Sequence, residues 1–373
     1  MKVAIVHDWL VTYAGAERVL EQMIAIYPDS DIFSLVDFLP EDKKGFLLNK
    51  PINTSFIQKL PFAKSIYRLY LPLMIYAVEQ FDMSKYDIVI SSSHAVAKGV
   101  ITGPDQTHIC MCYSPIRYAW DLQHQYLEES NMKKGIKGFF TRILLHKIRI
   151  WDVRTSNGVD FFIAISKFIS KRIMKTYRRD SKLIYPPVDT NKFELKKDSV
   201  RNDFYVTCSR MVPYKKIDLI VDTFSQNFPE KQLVVIGEGP DFKKIKEKSG
   251  PNIKLLGSAS FDELYNNLSA AKAFIFAAEE DFGISPIEAQ SCGTPVIAYG
   301  KGGALETIIG LDCINPTGVF FEEQTMASLT KAVIKFEENI ETIKPESCRD
   351  NALRFSEEVF QKKFKDFIGS KYS

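Results

Sequence analysis

The chain has 373 residues, long enough for two hydrophobic cores, and its 49 basic and 46 acidic side chains leave a formal charge of only +3. Its longest apolar run, residues 69–78, falls short of the roughly 20 residues that a bilayer crossing needs. The six cysteines (Cys110, Cys112, Cys208, Cys292, Cys313, Cys348) lack zinc-type spacing, and the positive charge lacks a nucleic-acid reader motif.

Met1-Lys2 leads straight into a strand over 2–7, so no leader is expected, and a helix follows over about 16–26. Between them, Gly15 near the helix start permits close approach by a ligand. A strand over 86–91 runs into Ser92-Ser93-His94, and another over 108–113 into the loop 113–121, which contains Tyr113, Arg117 and Trp120. That loop suits an acceptor or, equally, a packed lid. Cys110 and Cys112 alternate along the second strand as two buried thiols, which fits a reducing cytoplasm. A strand over 161–165, a helix over 166–177 and a short strand over 183–185 complete the first half. Pro186-Pro187 cannot continue a strand interior and a polar stretch follows, so a boundary is expected near 187–200. A second series of strands runs over 204–208, 232–236, 253–256, 272–276 and 295–298, separated by helical segments. At the end, apolar residues at 355, 359/360, 364 and 367/368 form a helical stripe.

Charge is unevenly spread. Residues 1–190 hold 25 Lys/Arg and 19 Asp/Glu, a net of +6, while the remainder holds 24 and 27, a net of −3. Two segments concentrate cations, 131–154 with seven against Asp152 and 167–182 with seven against Asp180. Mixed with Phe139, Phe140, Ile143, Leu144, Leu145, Phe168 and Ile169, they suggest contact with an anionic membrane surface, or two helices whose apolar stripes face the core.

Alternating strands and helices imply parallel α/β architecture with ligands bound beyond the carboxyl ends of strands. The chemistry-bearing residues fall there. Arg210 and Lys215 follow the strand over 204–208, where a fork and a point charge could flank a diphosphate or form a solvated basic loop. Val235-Ile236-Gly237-Glu238-Gly239-Pro240 ends a strand in a Gly-x-Gly turn but lacks the rest of a dinucleotide fingerprint. After 273–276, Ser285 suits an N-cap, Pro286 the first helical position and Glu288 the third, a capping box. Glu280 sits eight residues before Glu288, and the amides of Phe282, Gly283, Ile284 and Ser285 lie at the helix start, where anions or hydroxyls bind. Glu280 also reads as one of three surface acids, and His94 as a structural histidine.

Residues 209–308 together closely resemble the retaining glycosyltransferases of family 4: Arg210 and Lys215, the Ile-Gly-Glu-Gly-Pro turn, Glu280 with Glu288, Ser291-Cys292-Gly293-Thr294-Pro295-Val296-Ile297, and Gly302-Gly303-Ala304-Leu305-Glu306-Thr307. The first half matches more loosely, through Ala14-Gly15-Ala16-Glu17-Arg18-Val19 and His94. Three departures stand out: Ala14 for a glycine, Asp281 for a glycine, and Tyr185-Pro186-Pro187-Val188-Asp189 for the usual turn. The last, with Tyr113-Ser114-Pro115, resembles the subset of mannosyltransferases that build bacterial O-antigen.

The resemblance implies a GT-B fold. Two Rossmann-like domains would face a central cleft, 1–188 for the acceptor and 189–352 for the donor, and a helix in 353–373 would cross back to the first domain. It implies that Arg210 and Lys215 hold the donor diphosphate, Glu288 the ribose and Glu280 a sugar hydroxyl, with the 282–285 amides on sugar and phosphate. Gly15 would lie near the diphosphate, His94 near the reacting sugar, and Tyr113, Arg117 and Trp120 near the acceptor. The implied partners are a nucleotide sugar, GDP-mannose in this subset, and a lipid-linked, undecaprenyl-type glycan. No metal and no further cofactor are implied, and the place of work is the cytoplasmic face of the membrane. A UDP-sugar transferase, a nucleotide-sugar epimerase, a sugar-phosphate phosphorylase and a non-catalytic sensor would use the same cleft.

Overall fold

A computed structural model describes residues 1–130, 132–196 and 201–372. Asn131, which heads the first basic segment, residues 197–200 of the expected boundary, and Ser373 lie outside the described residues. The chain divides into two compact units, Met1–Pro186 with Phe360–Ser373, and Pro187–Val359.

The first unit is built on a parallel sheet in the order β3-β2-β1-β4-β5-β6-β7, whose strands are β1 Val3–His7, β2 Asp31–Ser34, β3 Ile52–Thr54, β4 Ile88–Ser93, β5 Thr107–Cys112, β6 Phe161–Ala164 and β7 Ser181–Leu183. Every residue of β1 is buried, as a parallel strand covered by helices on both faces requires, so its sequence is a continuous apolar run rather than an alternation. Strand β4 pairs through Ser93 with Cys112, two residues beyond the apolar stretch expected to end it. The extension is possible because its serines are satisfied: Ser91 Oγ lies 2.8 Å from His108 Nε2 and Ser92 Oγ 2.9 Å from His7 Nδ1.

The second unit holds a parallel sheet in the order β10-β9-β8-β11-β12-β13, with β8 Phe204–Cys208, β9 Gln232–Ile236, β10 Ile253–Gly257, β11 Ala273–Phe276, β12 Val296–Tyr299 and β13 Gly318–Phe321. The two-residue period of the strands divides its core. Tyr205, Leu233, Ile275 and Ile297 pack on one face with Phe224 and Phe336, and Val206, Val234, Phe274 and Ala298 on the other with Phe193 and Ala289.

In each sheet the chain winds outward and then returns to the opposite side of its first strand, giving switch points at β1/β4 and at β8/β11. Residues just past those four strands are therefore adjacent within their own unit.

The terminal helix spans Glu357–Gly369. Phe355 precedes it, because its carbonyl accepts the Val188 N–H at 2.9 Å and its ring packs edge-on against Phe282 at 5.6 Å, both in the second unit. From Phe360 onward the helix belongs to the first unit: Gln361 donates to Gln22 and Phe367 packs edge-on against Phe161 at 6.3 Å.

Candidate active site

In the second unit the backbone is shaped by close approaches. The Gly237 and Gly239 turn after β9 lies against the loop after β8. A Cβ on Gly237 would strike the Ser209 carbonyl and one on Gly239 the backbone of Met211, while Met211 N–H donates to the Glu238 carbonyl at 2.8 Å. The glycines thus let the β9 turn brace the loop after β8, which carries Arg210 and then a single turn, Pro213–Lys215. Arg210 is exposed. Lys215 is mostly buried and its ammonium pairs with the Glu280 carboxylate, which is likewise mostly buried. The loop holding Glu280 is fixed in turn by Gly302 and Gly303: the Gly303 N–H donates to the Glu280 carbonyl at 2.7 Å, and a Cβ at either glycine would run into residues 280–282.

The expected capping box does not form. The helix spans Ile284–Ser291, and the residue before it is Gly283, whose φ of +87° turns the chain into the helix two residues earlier than a cap at Ser285 would. Ser285 is the second helical residue, Pro286 the third and Glu288 the fifth, so Ser285 and Glu288 cannot exchange capping bonds. Pro286 stays in the first turn, where its missing N–H costs nothing. Glu288 is buried beside the end of β8: the Cys208 thiol is pushed up to about 12, by burial first and by the Glu288 charge second. Phe282 is buried against Phe355. Within this unit the fold therefore gathers Lys215, Glu280 and Glu288 at the β8/β11 switch point, with Arg210 on the adjoining loop.

In the first unit, Gly15 opens the helix Gly15–Ile26, and Glu17 reaches back to accept the Ala14 N–H at 2.9 Å. Glu17 also meets His7 Nε2 at 3.4 Å, and Ser92 connects His7 to the Tyr113 hydroxyl at 2.7 Å. Burial opposes charge on Glu17, but the His7 contact and the Ala14 N–H hold its carboxyl below the usual range. Beside this chain, Asp8 is wholly buried and its carboxylate accepts four consecutive amides, His94 at 2.6 Å, Ala95 at 2.9 Å, and Val96 and Ala97 at 2.7 Å. His94 Nδ1 lies 3.0 Å from the same carboxylate, and the imidazole packs edge-on against Trp9 at 4.5 Å.

Burial raises the Asp8 pKa, yet His94 and the amides outweigh it and hold the carboxyl well below the usual carboxylate range. A depressed folded value means that Asp8 contributes stability in full above about pH 4 and loses it as the pH falls through the lowered value. Thermal unfolding of wild type and D8N should accordingly differ by a constant amount between about pH 5 and 7 and converge only below about pH 4.

The loop 113–121 is packed. Ile116 and Ala119 are buried, the Trp120 indole N–H donates to Asp152 at 2.7 Å, Arg149 donates to the Ala119 carbonyl at 2.8 Å, and Asp121 pairs with Arg172. Tyr113 is buried with its hydroxyl on Ser92, and Arg117 is half-buried in the same loop. His7, Asp8 and Glu17 were not singled out from sequence. The available signal was the position of His7 and Asp8 at the end of β1, the same post-strand rule that drew attention to His94.

Residues 188–355 match the family described as Glycosyl transferases group 1. Over 141 residues, 34% of this chain, the sequence is 31% identical to 36% of a GDP-mannose-dependent monoacylated alpha-(1-6)-phosphatidylinositol monomannoside mannosyltransferase from Corynebacterium glutamicum. Over 208 residues, 48% of this chain, it is 26% identical to 53% of a GDP-mannose-dependent alpha-(1-6)-phosphatidylinositol monomannoside mannosyltransferase from Mycobacterium tuberculosis. The matches thus span about a third to a half of these relatives' lengths. The crystal structure of Anabaena Alr3699/HepE in complex with UDP superposes with a TM-score of 0.73 at 16% identity, covering 99% of this chain and 100% of that one. The fold is accordingly GT-B, two Rossmann-like α/β domains.

Proposed function

We propose that this chain is a retaining glycosyltransferase that moves mannose from GDP-mannose onto a lipid-linked, undecaprenyl-type oligosaccharide during cell-surface polysaccharide (O-antigen) assembly. The observation that carries the reading is the convergence of Lys215, Glu280 and Glu288 at one switch point, inside the stretch that matches Glycosyl transferases group 1. The GDP-mannose dependence named for the two mannosyltransferase relatives supports the choice of donor.

In this reading Arg210 and Lys215 stabilise the departing diphosphate, Glu288 binds the ribose hydroxyls and Glu280 a hydroxyl of the sugar. Lys215 already faces a carboxylate, so the incoming diphosphate shares or displaces Glu280 as its partner. The acceptor hydroxyl attacks from the face the diphosphate leaves, and the leaving phosphate takes its proton. Since protein cations supply the positive charge, no divalent metal is needed, and turnover in excess EDTA should match that in buffer. The test is release of GDP from GDP-mannose with and without a polyprenyl-linked glycan. Release only with the acceptor supports transfer; acceptor-independent epimer formation, or binding with no turnover on any acceptor, overturns it.

The helix Gly135–Ser156 bears on where the acceptor is met. Its inner face buries Leu145, Ile148 and Trp151, while Ile136, Phe139 and Phe140 on its outer side are 78%, 61% and 63% exposed. Lys133, Lys134, Lys137, Arg142 and Lys147 surround them, and Leu69, Leu73 and Tyr76 of a neighbouring segment are exposed too. Aromatic side chains ringed by cations suit the headgroup layer of an anionic leaflet at the inner face of the membrane, each cation there being worth about 1 kcal/mol. The second basic segment differs. The helix Lys167–Tyr177 buries Ile169, Ile173 and Tyr177, so its apolar stripe faces the core. Among the described residues no helix is long and apolar enough to cross a membrane. The protein is expected to sediment with phosphatidylglycerol vesicles but not phosphatidylcholine vesicles, and F139S/F140S should abolish sedimentation. Equal recovery with both vesicle types would remove the membrane role.

A further inference from the structure

Residues 43–78 contain no acid and six cations, Lys43, Lys44, Lys50, Lys59, Lys64 and Arg68. Lys44 pairs with Asp37 and Glu41, and Lys50 donates to the Ser30 carbonyl at 2.8 Å. Lys59, Lys64 and Arg68 are exposed and bracket a turn at Phe62. Phe62 is 80% exposed and has a φ of +55°, a left-handed conformation that an aromatic residue rarely adopts. The turn is held on both sides. The Tyr70 hydroxyl donates to the Pro61 carbonyl at 2.7 Å, and the Phe62 carbonyl accepts the Ser65 and Ile66 N–H groups at 2.9 and 3.0 Å. Ile57, Ala63 and Tyr67 on either side are buried. Folding therefore fixes the backbone while most of the phenyl ring stays in water, and glycine would adopt the same φ without strain.

We propose that Phe62 is a wedge that inserts below the headgroups of an anionic bilayer, with Lys59, Lys64 and Arg68 meeting the lipid phosphates around it. The inference deepens the membrane reading above and rests on it, adding a second element to the helix Gly135–Ser156. The two elements are linked within the first unit: Glu79, at the end of the helix Leu71–Val78, accepts the Trp151 indole N–H at 2.9 Å and pairs with Arg154. Between Phe62 and that contact, Leu69, Leu73 and Tyr76 recur at helical spacing and are exposed. A bilayer takes an aromatic ring out of water and leaves the flanking cations at the level of the phosphates. The lack of any acid over 43–78 removes the repulsion that a carboxylate would meet at an anionic surface. Because the turn is already ordered, little entropy is lost when the ring inserts.

The test compares wild type, F62G and F62W. Without vesicles, F62G should unfold close to the wild-type temperature, because glycine suits the left-handed turn and the lost ring was in solvent. Its affinity for phosphatidylglycerol vesicles should nevertheless fall about 10-fold or more, the loss expected when one large aromatic side chain no longer leaves water. F62W should keep the affinity. Its added emission, taken over that of Trp9, Trp120 and Trp151, should shift to the blue and be quenched by bromines on the lipid acyl chains. Folded F62G that binds as tightly as wild type, or an indole at 62 that stays unquenched in vesicle-bound protein, overturns the wedge. A wild-type dimer lost in F62G, with no vesicle binding, overturns the bilayer as the occupant of this face. If F62G does not fold, quenching in F62W still decides. Absence of wild-type binding to phosphatidylglycerol refutes the membrane reading as a whole, whereas wild-type binding with F62G unaltered refutes this assignment alone.

Discussion

Replacing Lys215 with alanine is expected to lower kcat for mannosyl transfer by about 10²–10³ while the protein remains folded. The reaction develops charge on the departing diphosphate, and a fixed cation in a site that excludes water stabilises that charge far better than bulk solvent. Lys215 is suited to this because its chain is held before the donor arrives, mostly buried and paired with Glu280. The pair makes the loss larger than a deleted cation alone. Without Lys215, the Glu280 carboxylate faces the incoming diphosphate with its charge uncompensated, so K215A should weaken donor binding as well as turnover. The double variant K215A/E280Q should then bind GDP more tightly than K215A without regaining turnover. Initial rates and GDP affinities of the three proteins decide the matter. Wild-type turnover in K215A would remove Lys215 from the chemistry, and equal GDP affinity in K215A and the double variant would remove the electrostatic link to Glu280.

Asp152→Ala should destabilise the first unit by about 3–5 kcal/mol. Lys98 and Asp152 are buried, 2% and 0% exposed, with Nζ 2.7 Å from Oδ1. The carboxylate also takes the Trp120 indole N–H at 2.7 Å and the Tyr177 hydroxyl at 2.9 Å, and burial followed by the Asp152 charge drives the Tyr177 pKa well above its ordinary value. Removing Asp152 leaves the buried Lys98 ammonium without its counter-charge, held only by the residue-152 carbonyl and Thr155 Oγ1, and takes the carboxylate acceptor from Trp120 and Tyr177. Removing both ends together is a milder change, because no unpaired charge stays buried, so K98M/D152A should recover the part of the loss due to Lys98 while Trp120 and Tyr177 still lack their acceptor. All three tryptophans, Trp9, Trp120 and Trp151, lie in the first unit, so tryptophan fluorescence during urea unfolding reports that unit. A D152A midpoint equal to wild type would mean that the buried pair carries no weight.

The parallel architecture was legible because strands covered on both faces are continuous apolar runs, as in Val3–His7 and Ala273–Phe276. Short strands carry no such run: Asp31–Ser34 and Ile52–Thr54 have three or four residues, and their identity comes from pairing with strands already in place. The cluster at the β8/β11 switch point was legible because Glu280, Glu288, Arg210 and Lys215 follow strands in the sequence. What local chemistry misjudged was the helix start, where Ser285 and Pro286 look like a cap but the positive φ of Gly283 sets the first turn two residues earlier. What it could not show was Asp8 against His94 or His7 against Ser92, since those contacts depend on β1 and β4 becoming neighbours across more than 80 residues of chain. The same holds for Gly302 and Gly303, whose purpose is visible only once the backbone of 280–282 lies against them.

Thermal stabilisation by GDP, UDP, ADP and their sugar conjugates bears most directly on the proposed donor. The expected result is a concentration-dependent rise in the unfolding temperature with GDP and GDP-mannose alone, lost in E288A, which removes the carboxylate proposed to bind the ribose. A rise confined to UDP and its sugars would contradict GDP-mannose as the donor, and no rise with any of them would contradict a nucleotide-sugar site at the β8/β11 switch point.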